Sequence, residues 1–202
     1  MSGENHVWTF EQKAQKNGFK VIAGIDEVGR GPLAGPVVSA AVILDNSFSV
    51  DGITDSKKLT PHKRSVLYDQ ICNHAIDYQV GIVSNDVIDQ INILQAALLS
   101  MRYAVEGLQN PPDFLLIDGI YKINSSLQQE TIVKGDQRSI SIAAASIIAK
   151  VTRDEIMTQY ALEYPAYGFD KNMGYGTKQH RDAISRVGIC PIHRRTFKGC
   201  HD

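Results

Sequence analysis

Short apolar runs and stretches of alternating apolar and polar residues predict a set of strands along the chain. The clearest run, Phe114 to Ile117, is apolar at every position, which is typical of a strand buried on both faces. Gly/Pro-rich segments separate the first two runs, as expected for a turn between paired strands. Five segments have the length and apolar content of strands: residues 21–25, 37–44, 77–83, 114–117 and 130–133.

Apolar residues recur at helical spacing in the segments between and after these strands. Thr60 followed by Pro61 is a typical helix start, with a threonine cap and proline at the first helical position. The predicted helices cover residues 8–17, 60–74, 85–108, 141–160 and 177–187. Three early strands followed by helices alternating with strands predict an α/β fold, with a mixed central sheet flanked by helices and a helical C-terminal segment. A length of 202 residues is typical of one domain, so we predict a single domain over residues 1–202.

Composition places the chain among ordinary globular proteins, with 43% hydrophobic and 21% charged residues. No apolar run approaches the ~20 residues that a membrane-spanning helix needs, and the N-terminus lacks the pattern of a secretory signal. Cys72, Cys190 and Cys200 form no C-x-x-C pair. An odd number of widely spaced cysteines favours the reducing cytoplasm over a disulfide scaffold or a zinc site.

Positive charge is concentrated near the C-terminus. Residues 171–202 contain seven Lys or Arg residues against two acidic ones, a net charge of +5, while the rest of the chain carries −6. A second basic group comprises Lys57, Lys58, Lys63 and Arg64. This asymmetry predicts a phosphate-rich partner on one face, although a solvated charged helix face would also explain the basic C-terminal segment.

Acidic residues follow three of the predicted strands. Asp26 and Glu27 follow the first, Asp118 follows the buried run at 114–117, and Asp136 follows the strand at 130–133. Ligands of α/β sheets bind at the carboxyl ends of strands, so neighbouring strands would bring these acids together. Oxygen ligands favour Mg²⁺ or Mn²⁺ over zinc, and a pair of such ions can promote phosphodiester hydrolysis.

Each acid also has a purely structural interpretation. Asp118 before Gly119 is a turn signal, Asp136 could cap a helix beginning near Arg138, and Asp26 with Glu27 could be surface charge. Adjacent strand residues point to opposite faces, so Asp26 and Glu27 share a site only if the strand ends or bulges there, or if Glu27 contributes its carbonyl.

A Gly-Arg-Gly turn, residues 29–31, follows the first acidic pair. Its glycines leave backbone N–H groups open to a phosphate or a sugar. The Arg30 side chain is one candidate for neutralising the adjacent carboxylates, and a hard metal ion is the other.

These segments together resemble bacterial ribonuclease HII over residues 22–197. The resemblance is carried, in the order of that family, by GIDEVGRGPLAGPVVSAAVIL at 24–44, DSKKL at 55–59, LIDG at 116–119, KGD at 134–136, SIAAASIIAKVTRD at 141–154, GYGTKQH at 174–180 and PIHRRTF at 191–197. It implies the ribonuclease H-like fold, hydrolysis of RNA paired with DNA, and cleavage 5′ to a single ribonucleotide in duplex DNA. Ribonuclease HIII is disfavoured, since it usually carries an extra N-terminal domain.

The resemblance also implies roles for individual residues. The metal-binding and catalytic acids would be Asp26, Glu27, Asp118 and Asp136, holding two Mg²⁺ or Mn²⁺ ions. The residues that recognise the substrate sugar would be Gly29, Arg30, Gly31 and Tyr175. Composition alone would make Tyr175 a packed surface aromatic, and the run 141–148 a core helix face. Asp154, His180, His193 and Arg195 are left without an assigned role.

Two other classes of function remain open from the residues. One is a domain that binds RNA/DNA hybrids without cutting them, which the presence of all four acids disfavours. The other is a small-molecule phosphohydrolase with Asp26 as nucleophile, but Val28 occupies the position where a D-x-D motif needs its second aspartate. The sequence therefore predicts a monomeric, metal-dependent cytoplasmic endoribonuclease.

Overall fold

A five-stranded mixed sheet forms the centre of the protein in a computed structural model that describes residues 6–49, 53 and 60–200. The strands are β1 (Ile22–Val28), β2 (Val37–Ile43), β3 (Asp77–Val83), β4 (Phe114–Asp118) and β5 (Gln128–Ile132). They run in the spatial order β3-β2-β1-β4-β5. β2 pairs antiparallel with both β1 and β3, whereas β4 pairs parallel with both β1 and β5. The predicted mixed α/β sheet is confirmed.

Helices cover both faces of this sheet. They are α1 (Thr9–Lys16), α2 (Pro61–His74), α3 (Asn85–Ile91), α4 (Ile93–Glu106), α5 (Ile140–Glu163), α6 (Phe169–Asn172) and α7 (Lys178–Val187). α5 and α2 pack on one face, against Val38, Ala40 and Val42 of β2. α4 packs on the other, where Met101 and Ala104 meet Ala41 and Ile43. In the described ranges, no helix has the length and apolar content required to cross a membrane.

The prediction of one helix over residues 85–108 is wrong in one respect, because this segment forms two helices, α3 and α4. Asn92 has a positive φ of 66°, which interrupts the helix. Its side-chain Oδ1 accepts hydrogen bonds from the N–H groups of Leu94 and Gln95, at 3.0 and 3.1 Å. Asparagine tolerates this backbone conformation and caps helices well, so apolar periodicity alone could not reveal the break.

α5 lies close to the centre of the sheet because Gly24 of β1 lies beneath the first turn of this helix. A Cβ atom at Gly24 would collide with the backbone of Ser141 and Ile142. A buried carboxylate from α1 completes this contact: Oε1 of Glu11 accepts from the Ser141 N–H at 3.1 Å and from the hydroxyls of Ser139 and Ser141. Negative charge at a helix N-terminus is favourable, so α1 fixes the start of the longest helix.

The C-terminal part of the chain folds back against the far half of α5. Met157 of α5, Phe169 of α6 and Ala183 of α7 share one apolar cluster with Ala34 and Ile192. The segment after α7 joins the turn that follows β1, through hydrogen bonds between Gly35 and Ile192 and between Arg194 and Leu33. The loop after β1 and the C-terminal segment therefore form one packed unit beside the end of the sheet.

Candidate active site

Two of the predicted acids lie side by side at the carboxyl ends of the central parallel strands. Ile25 of β1 is in register with Ile117 of β4, so the next residues are Asp26 and Asp118. Residues paired across parallel strands point to the same face, and neighbouring strands lie about 4.8 Å apart. β4 ends at Asp118 while β1 continues to Val28. The sheet therefore opens at this point, where β1 extends beyond its partner.

A cavity of about 380 Å³ lies at this edge of the sheet. Asp26, Glu27 and Asp118 line it, although Asp26 and Glu27 are consecutive residues of one strand. The expectation that β1 would end or bulge at these acids is wrong, because β1 continues to Val28 in regular register with β2. What stops here is the pairing of β1 with β4, at Ile25. The full lining consists of Asp26, Glu27, Val28, Arg64, Asp118, Ser146, Ile147, Lys150 and Tyr175.

Burial and neighbouring charge raise the pKa of two of these acids, Asp26 and Glu27. Burial raises the pKa of Asp26 well above its usual value, and the charges of Asp118 and Glu27 raise it further. The Asp26 carboxylate accepts hydrogen bonds from Ser146 and from the Glu27 N–H, the latter at 2.7 Å, and these bonds oppose the rise. Burial also raises the pKa of Glu27, partly offset by Arg30, whose Nη1 lies 3.3 Å from Glu27 Oε1. The site therefore favours additional positive charge.

Asp136 lies in a short turn beside Asp118 and does not line the cavity. The turn, Gly135–Gln137, is a single 3₁₀ turn, and Asp136 is buried. The Gly135 N–H donates to Oδ1 of Asp118 at 2.6 Å, which joins the turn to the end of β4. Asp136 thus follows Gly135, whose N–H binds Asp118. The other three acids are among the residues that line the cavity.

The chemistry of these side chains fits a hard divalent cation. All the candidate ligands are carboxylate oxygens, the kind that Mg²⁺ and Mn²⁺ prefer, and the mutual repulsion of Asp26, Glu27 and Asp118 would be relieved by a cation. Among the described residues, no three His, Cys, Asp or Glu side chains are gathered into a finished ligand set. The acids therefore line a common cavity without being preassembled around an ion.

We expect Asp26→Asn to stabilise the metal-free protein. A group whose pKa is raised on folding stabilises the fold below its unfolded pKa, and this contribution is lost as pH rises through the folded pKa. Asn removes the buried charge and its Oδ1 can still accept from the Glu27 N–H. A tenfold change in proton affinity is worth about 1.4 kcal/mol, and about 1 kcal/mol moves the melting temperature of a chain of this size by roughly 2–4 °C.

Thermal unfolding in EDTA from pH 5 to 8 measures this effect. The melting temperature of Asp26→Asn should exceed that of the unaltered protein, by a margin that grows with pH. Asp69→Asn, an exposed position on α2, removes the same charge and serves as the control. A lower melting temperature for Asp26→Asn at pH 8 would contradict the electrostatic description of the site.

Two buried arginines hold the turn that follows β1. Arg194 donates to the carbonyls of Gly29, Arg30, Gly35 and Pro36. Arg153, on α5, donates to Ala34, Pro36 and Met173. Both side chains are fully buried, and burial together with the charge of Arg153 lowers the pKa of Arg194 to about 9.

The Gly-Arg-Gly turn leaves no room for a side chain at its first residue. Gly29 has a φ of 96°, and a Cβ atom there would collide with the side chain of Arg153. The carbonyls of Gly29 and Arg30 face inward toward Arg194. The sequence identified this turn, but not the two arginines that position it.

Tyr175 lies beside the same turn. A Cβ atom added to Gly31 would be 3.6 Å from Cε1 of the Tyr175 ring. The Leu33 N–H donates to the Gly174 carbonyl at 2.8 Å, which joins the two segments directly. The tyrosine is 44% exposed and lines the cavity. This position disfavours the alternative that Tyr175 is a packed surface aromatic.

Sequence reasoning missed a row of polar residues on α5. Ser146 and Lys150 line the cavity, and Lys150 Nζ lies 2.6 Å from Oδ1 of Asp154. Arg64 of α2 also lines the cavity and is 3.9 Å from Oδ2 of the same aspartate. Residues 146, 150 and 154 are four residues apart, which places them along one helix face. The spacing was a usable signal, but it was obscured by the alanine-rich, buried run around it.

The basic C-terminal segment divides into surface and core residues. Lys171, Lys178, Arg181, Arg186, Arg195 and Lys198 are exposed, whereas Arg194 is buried. Arg194 therefore belongs to the loop support and cannot contact a phosphate. Lys57 and Lys58 of the second basic group, and the DSKKL motif at 55–59 that contains them, lie outside the described residues.

Comparison with known proteins gives a consistent result. The family model of ribonuclease HII matches residues 23–200. A protein named ribonuclease HII from Syntrophus aciditrophicus (strain SB) is 56% identical over 198 residues, which cover 98% of this chain and 92% of that protein.

Solved structures share the fold. The crystal structure of ribonuclease H2 from Pyrococcus horikoshii OT3 superposes with a TM-score of 0.75 at 27% identity, covering 90% of this chain and 95% of that one. Bst ribonuclease HIII, crystallised in complex with Mn²⁺, has a TM-score of 0.67 at 21% identity and covers 93% of this chain and 70% of that one. At that identity the second likeness concerns the fold alone.

Proposed function

The chain belongs to the ribonuclease HII family and is a metal-dependent ribonuclease of RNA/DNA hybrids, and from this premise we propose that it cuts 5′ to single ribonucleotides embedded in duplex DNA. We assign metal binding and catalysis to Asp26, Glu27, Asp118 and Asp136, and recognition of the sugar to Gly29, Arg30, Gly31 and Tyr175. The products would carry 5′-phosphate and 3′-hydroxyl ends.

One observation carries this proposal. Asp26, Glu27 and Asp118 line the same cavity as Tyr175, and the Tyr175 ring lies 3.6 Å from where a Cβ atom added to Gly31 would be. Carboxylates suited to divalent ions are therefore next to a surface suited to a sugar ring. A small-molecule phosphohydrolase would not need this aromatic or the exposed basic residues of the C-terminal segment.

The four acids would hold two Mg²⁺ or Mn²⁺ ions in the catalytic complex. When bound, such ions activate water and stabilise the attacking and leaving oxygens of a phosphodiester displacement. Asp26 and Asp118 are the central ligands in this proposal, because they occupy adjacent strand ends. Asp118 is oriented by the Gly135 N–H, and Asp26 by Ser146.

Lys150 and Arg64 supply the positive charge on the wall of the cavity. Their common partner Asp154 holds both cations near the acids. A phosphate entering the cavity would meet these cations on one side and the carboxylate cluster, neutralised by metal, on the other. Asp154 is thus a positioning residue in this proposal and not a metal ligand.

Recognition of the ribonucleotide is assigned to the turn and the tyrosine together. The 2′-hydroxyl distinguishes RNA from DNA at a single nucleotide. The Gly29-Arg30-Gly31 backbone can approach that hydroxyl closely at Gly31, where only the Tyr175 ring lies within 4 Å of the place a side chain would start. The Tyr175 ring would pack on the following sugar and favour one that lacks the hydroxyl. The two elements would thereby recognise an RNA-to-DNA junction.

If α7 contacts the duplex, the affinity of the protein for the duplex should fall as the salt concentration rises. We propose that the protein acts as a cytoplasmic monomer, with the exposed cations of residues 171–202 contacting phosphates. Each phosphate contact contributes about −0.9 to the slope of log affinity against log salt concentration. Arg181 and Arg186, both exposed on α7, are two such candidates.

Replacing both Arg181 and Arg186 with Gln should flatten this slope by about 2, since each lost phosphate contact changes it by about 1. Fluorescence anisotropy with a labelled duplex between 50 and 200 mM salt, about the range over which such contacts act, measures the slope in Ca²⁺. The double variant Lys16→Gln, Lys20→Gln removes two exposed charges from the other end of the chain and is the control. An unchanged slope in the α7 variant would exclude this helix from the duplex contact.

A cleavage assay separates hydrolysis from mere binding. The protein is incubated with end-labelled RNA/DNA hybrid and with duplex DNA containing one ribonucleotide, in Mg²⁺, in Mn²⁺ and in EDTA. We expect cleavage of both substrates in either metal and none in EDTA. Tight binding without cleavage in any metal would support the alternative of a hybrid-binding domain.

A further inference from the structure

Two histidines near the C-terminus form a buried pair that the proposed chemistry does not use. His180, on α7, and His193, in the segment after it, are both fully buried. Their Nε2 atoms are 3.0 Å apart. The rings of Tyr167 and Phe169 pack around them, with centroids 4.9–6.1 Å from the two imidazoles. Water is thus replaced by aromatic surface on the sides of the pair.

The hydrogen-bond partners determine where each histidine carries its proton. The backbone N–H of Cys190 donates to Nδ1 of His193 at 2.9 Å, so this nitrogen must accept. A proton on Nδ1, directed at the Cys190 carbonyl 3.2 Å away, would oppose that N–H. His193 therefore carries its proton on Nε2 and donates it to Nε2 of His180. His180 must then be protonated on Nδ1.

This arrangement ends at the substrate-facing tyrosine. Nδ1 of His180 lies 2.9 Å from the carbonyl oxygen of Tyr175, to which it donates. The result is a one-way series of hydrogen bonds from Cys190 through His193 and His180 to Tyr175. Burial lowers the pKa of both histidines, that of His193 to about 4, so both rings are neutral near pH 7. The titratable groups packed against them are the Cys190 thiol, 3.1 Å from Nδ1 of His193, and Tyr167, whose hydroxyl donates to the Gly188 carbonyl.

Tyr175 needs such support because its ring is half exposed while its backbone is in a tight turn. The Tyr175 N–H donates to the Asn172 carbonyl at 2.8 Å, and its own carbonyl also accepts from the Thr177 N–H at 2.7 Å. The neighbouring Gly174 has a φ of 81°. The orientation of this backbone sets the direction of the ring toward Gly31. A displacement of about 1 Å in a positioning group can cost about 100-fold in rate.

We propose that His180 and His193 are positioning residues that fix the Tyr175 carbonyl, and through it the ring that selects an RNA-to-DNA junction. The inference rests on the proposed junction recognition and adds its internal support. The pair touches neither substrate nor metal. Its effect is therefore on selectivity between substrates more than on hydrolysis as such.

Two substitutions at residue 180 separate positioning from packing. Leu and Asn have the same branched shape, but only Asn has an amide near the position of Nδ1 that can donate to the Tyr175 carbonyl. The measured quantity is the ratio of kcat/KM on a lone-ribonucleotide duplex to kcat/KM on an RNA/DNA hybrid. We expect His180→Leu to lower this ratio about tenfold, as for the loss of one hydrogen bond, and His180→Asn to restore most of it.

A combined variant tests whether the effect passes through the tyrosine. In a Tyr175→Ala background there is no ring to position, so adding His180→Leu should leave the ratio unchanged. A folded His180→Leu protein with an unaltered ratio, or equal ratios for Leu and Asn, would overturn the inference alone. An unaltered ratio in Tyr175→Ala would instead overturn junction recognition itself, and the inference with it.

Nitrogen NMR of the unaltered protein provides a test that does not depend on a variant folding. At pH 7.5 the imidazole ¹⁵N shifts should assign the proton of His180 to Nδ1 and that of His193 to Nε2. A proton on Nε2 of His180 would leave nothing to donate to the Tyr175 carbonyl, and would overturn the proposal.

Discussion

Asp118→Asn should abolish cleavage while leaving the fold and duplex binding intact. The variant keeps an Oδ1 that can accept the hydrogen bond from the Gly135 N–H, so the contact between β4 and the following turn survives. It loses the charge that would hold a metal ion between neighbouring strand ends. Metal ions contribute several kcal/mol to such reactions, and each 1.36 kcal/mol is tenfold in rate, so we expect kcat to fall by about 10³-fold or more.

The measurement is kcat on end-labelled RNA/DNA hybrid in Mg²⁺, together with circular dichroism and duplex affinity in Ca²⁺. Asp69→Asn, exposed on α2, is the matched charge control and should cleave at the unaltered rate. Substantial Mg²⁺-dependent cleavage by a folded Asp118→Asn protein would refute its assignment as a metal ligand.

Tyr175→Ala should lose most activity on duplex DNA with a single ribonucleotide although all four acids remain. The ring lies beside Gly31 at the wall of the cavity, and it is the group proposed to contact the sugar after the ribonucleotide. Stacking of an aromatic ring on a base is worth about 1–3 kcal/mol; taking the contact with the sugar ring as comparable, we expect a loss of about 10- to 100-fold. Activity on a continuous hybrid should fall less, because it does not depend on a following deoxyribose.

Tyr175→Phe keeps the ring and is the control for Tyr175→Ala. Since the proposed contact uses the ring face, the phenylalanine variant should retain most activity on both substrates. Equal losses on both substrates in Tyr175→Ala would show that the residue supports the fold or the general binding surface, and would exclude a role in selecting the junction.

The acids at strand ends could be predicted because sheet topology converts distant positions into neighbours. Apolar runs located β1 and β4, and the parallel register places Asp26 beside Asp118. The strand boundary was less predictable, since β1 extends to Val28 and includes both Asp26 and Glu27. The shared cavity depends on β4 stopping at Asp118, a property of the partner strand that the first segment cannot encode alone.

The buried polar residues could not be predicted from local pattern. Arg153 looks like an ordinary cation within a long helix, and Arg194 like part of a basic surface, yet both are fully buried against backbone carbonyls. Buried arginine is uncommon unless its donors are satisfied, and all the acceptors here except the Met173 carbonyl come from a loop more than 100 residues away in sequence. The same applies to Glu11 and to the His180–His193 pair, whose partners are fixed only by the tertiary fold.

In the proposed function, the metal-binding acids act beside a surface that recognises one ribonucleotide followed by DNA. Cleavage mapping at nucleotide resolution on a duplex containing a single ribonucleotide tests it most directly, with an all-DNA duplex of the same sequence as control. We expect one Mg²⁺-dependent cut on the 5′ side of the ribonucleotide, with 5′-phosphate and 3′-hydroxyl ends, and no cut in the DNA control. A requirement for several consecutive ribonucleotides, or a cut on the 3′ side of the lone one, would contradict it.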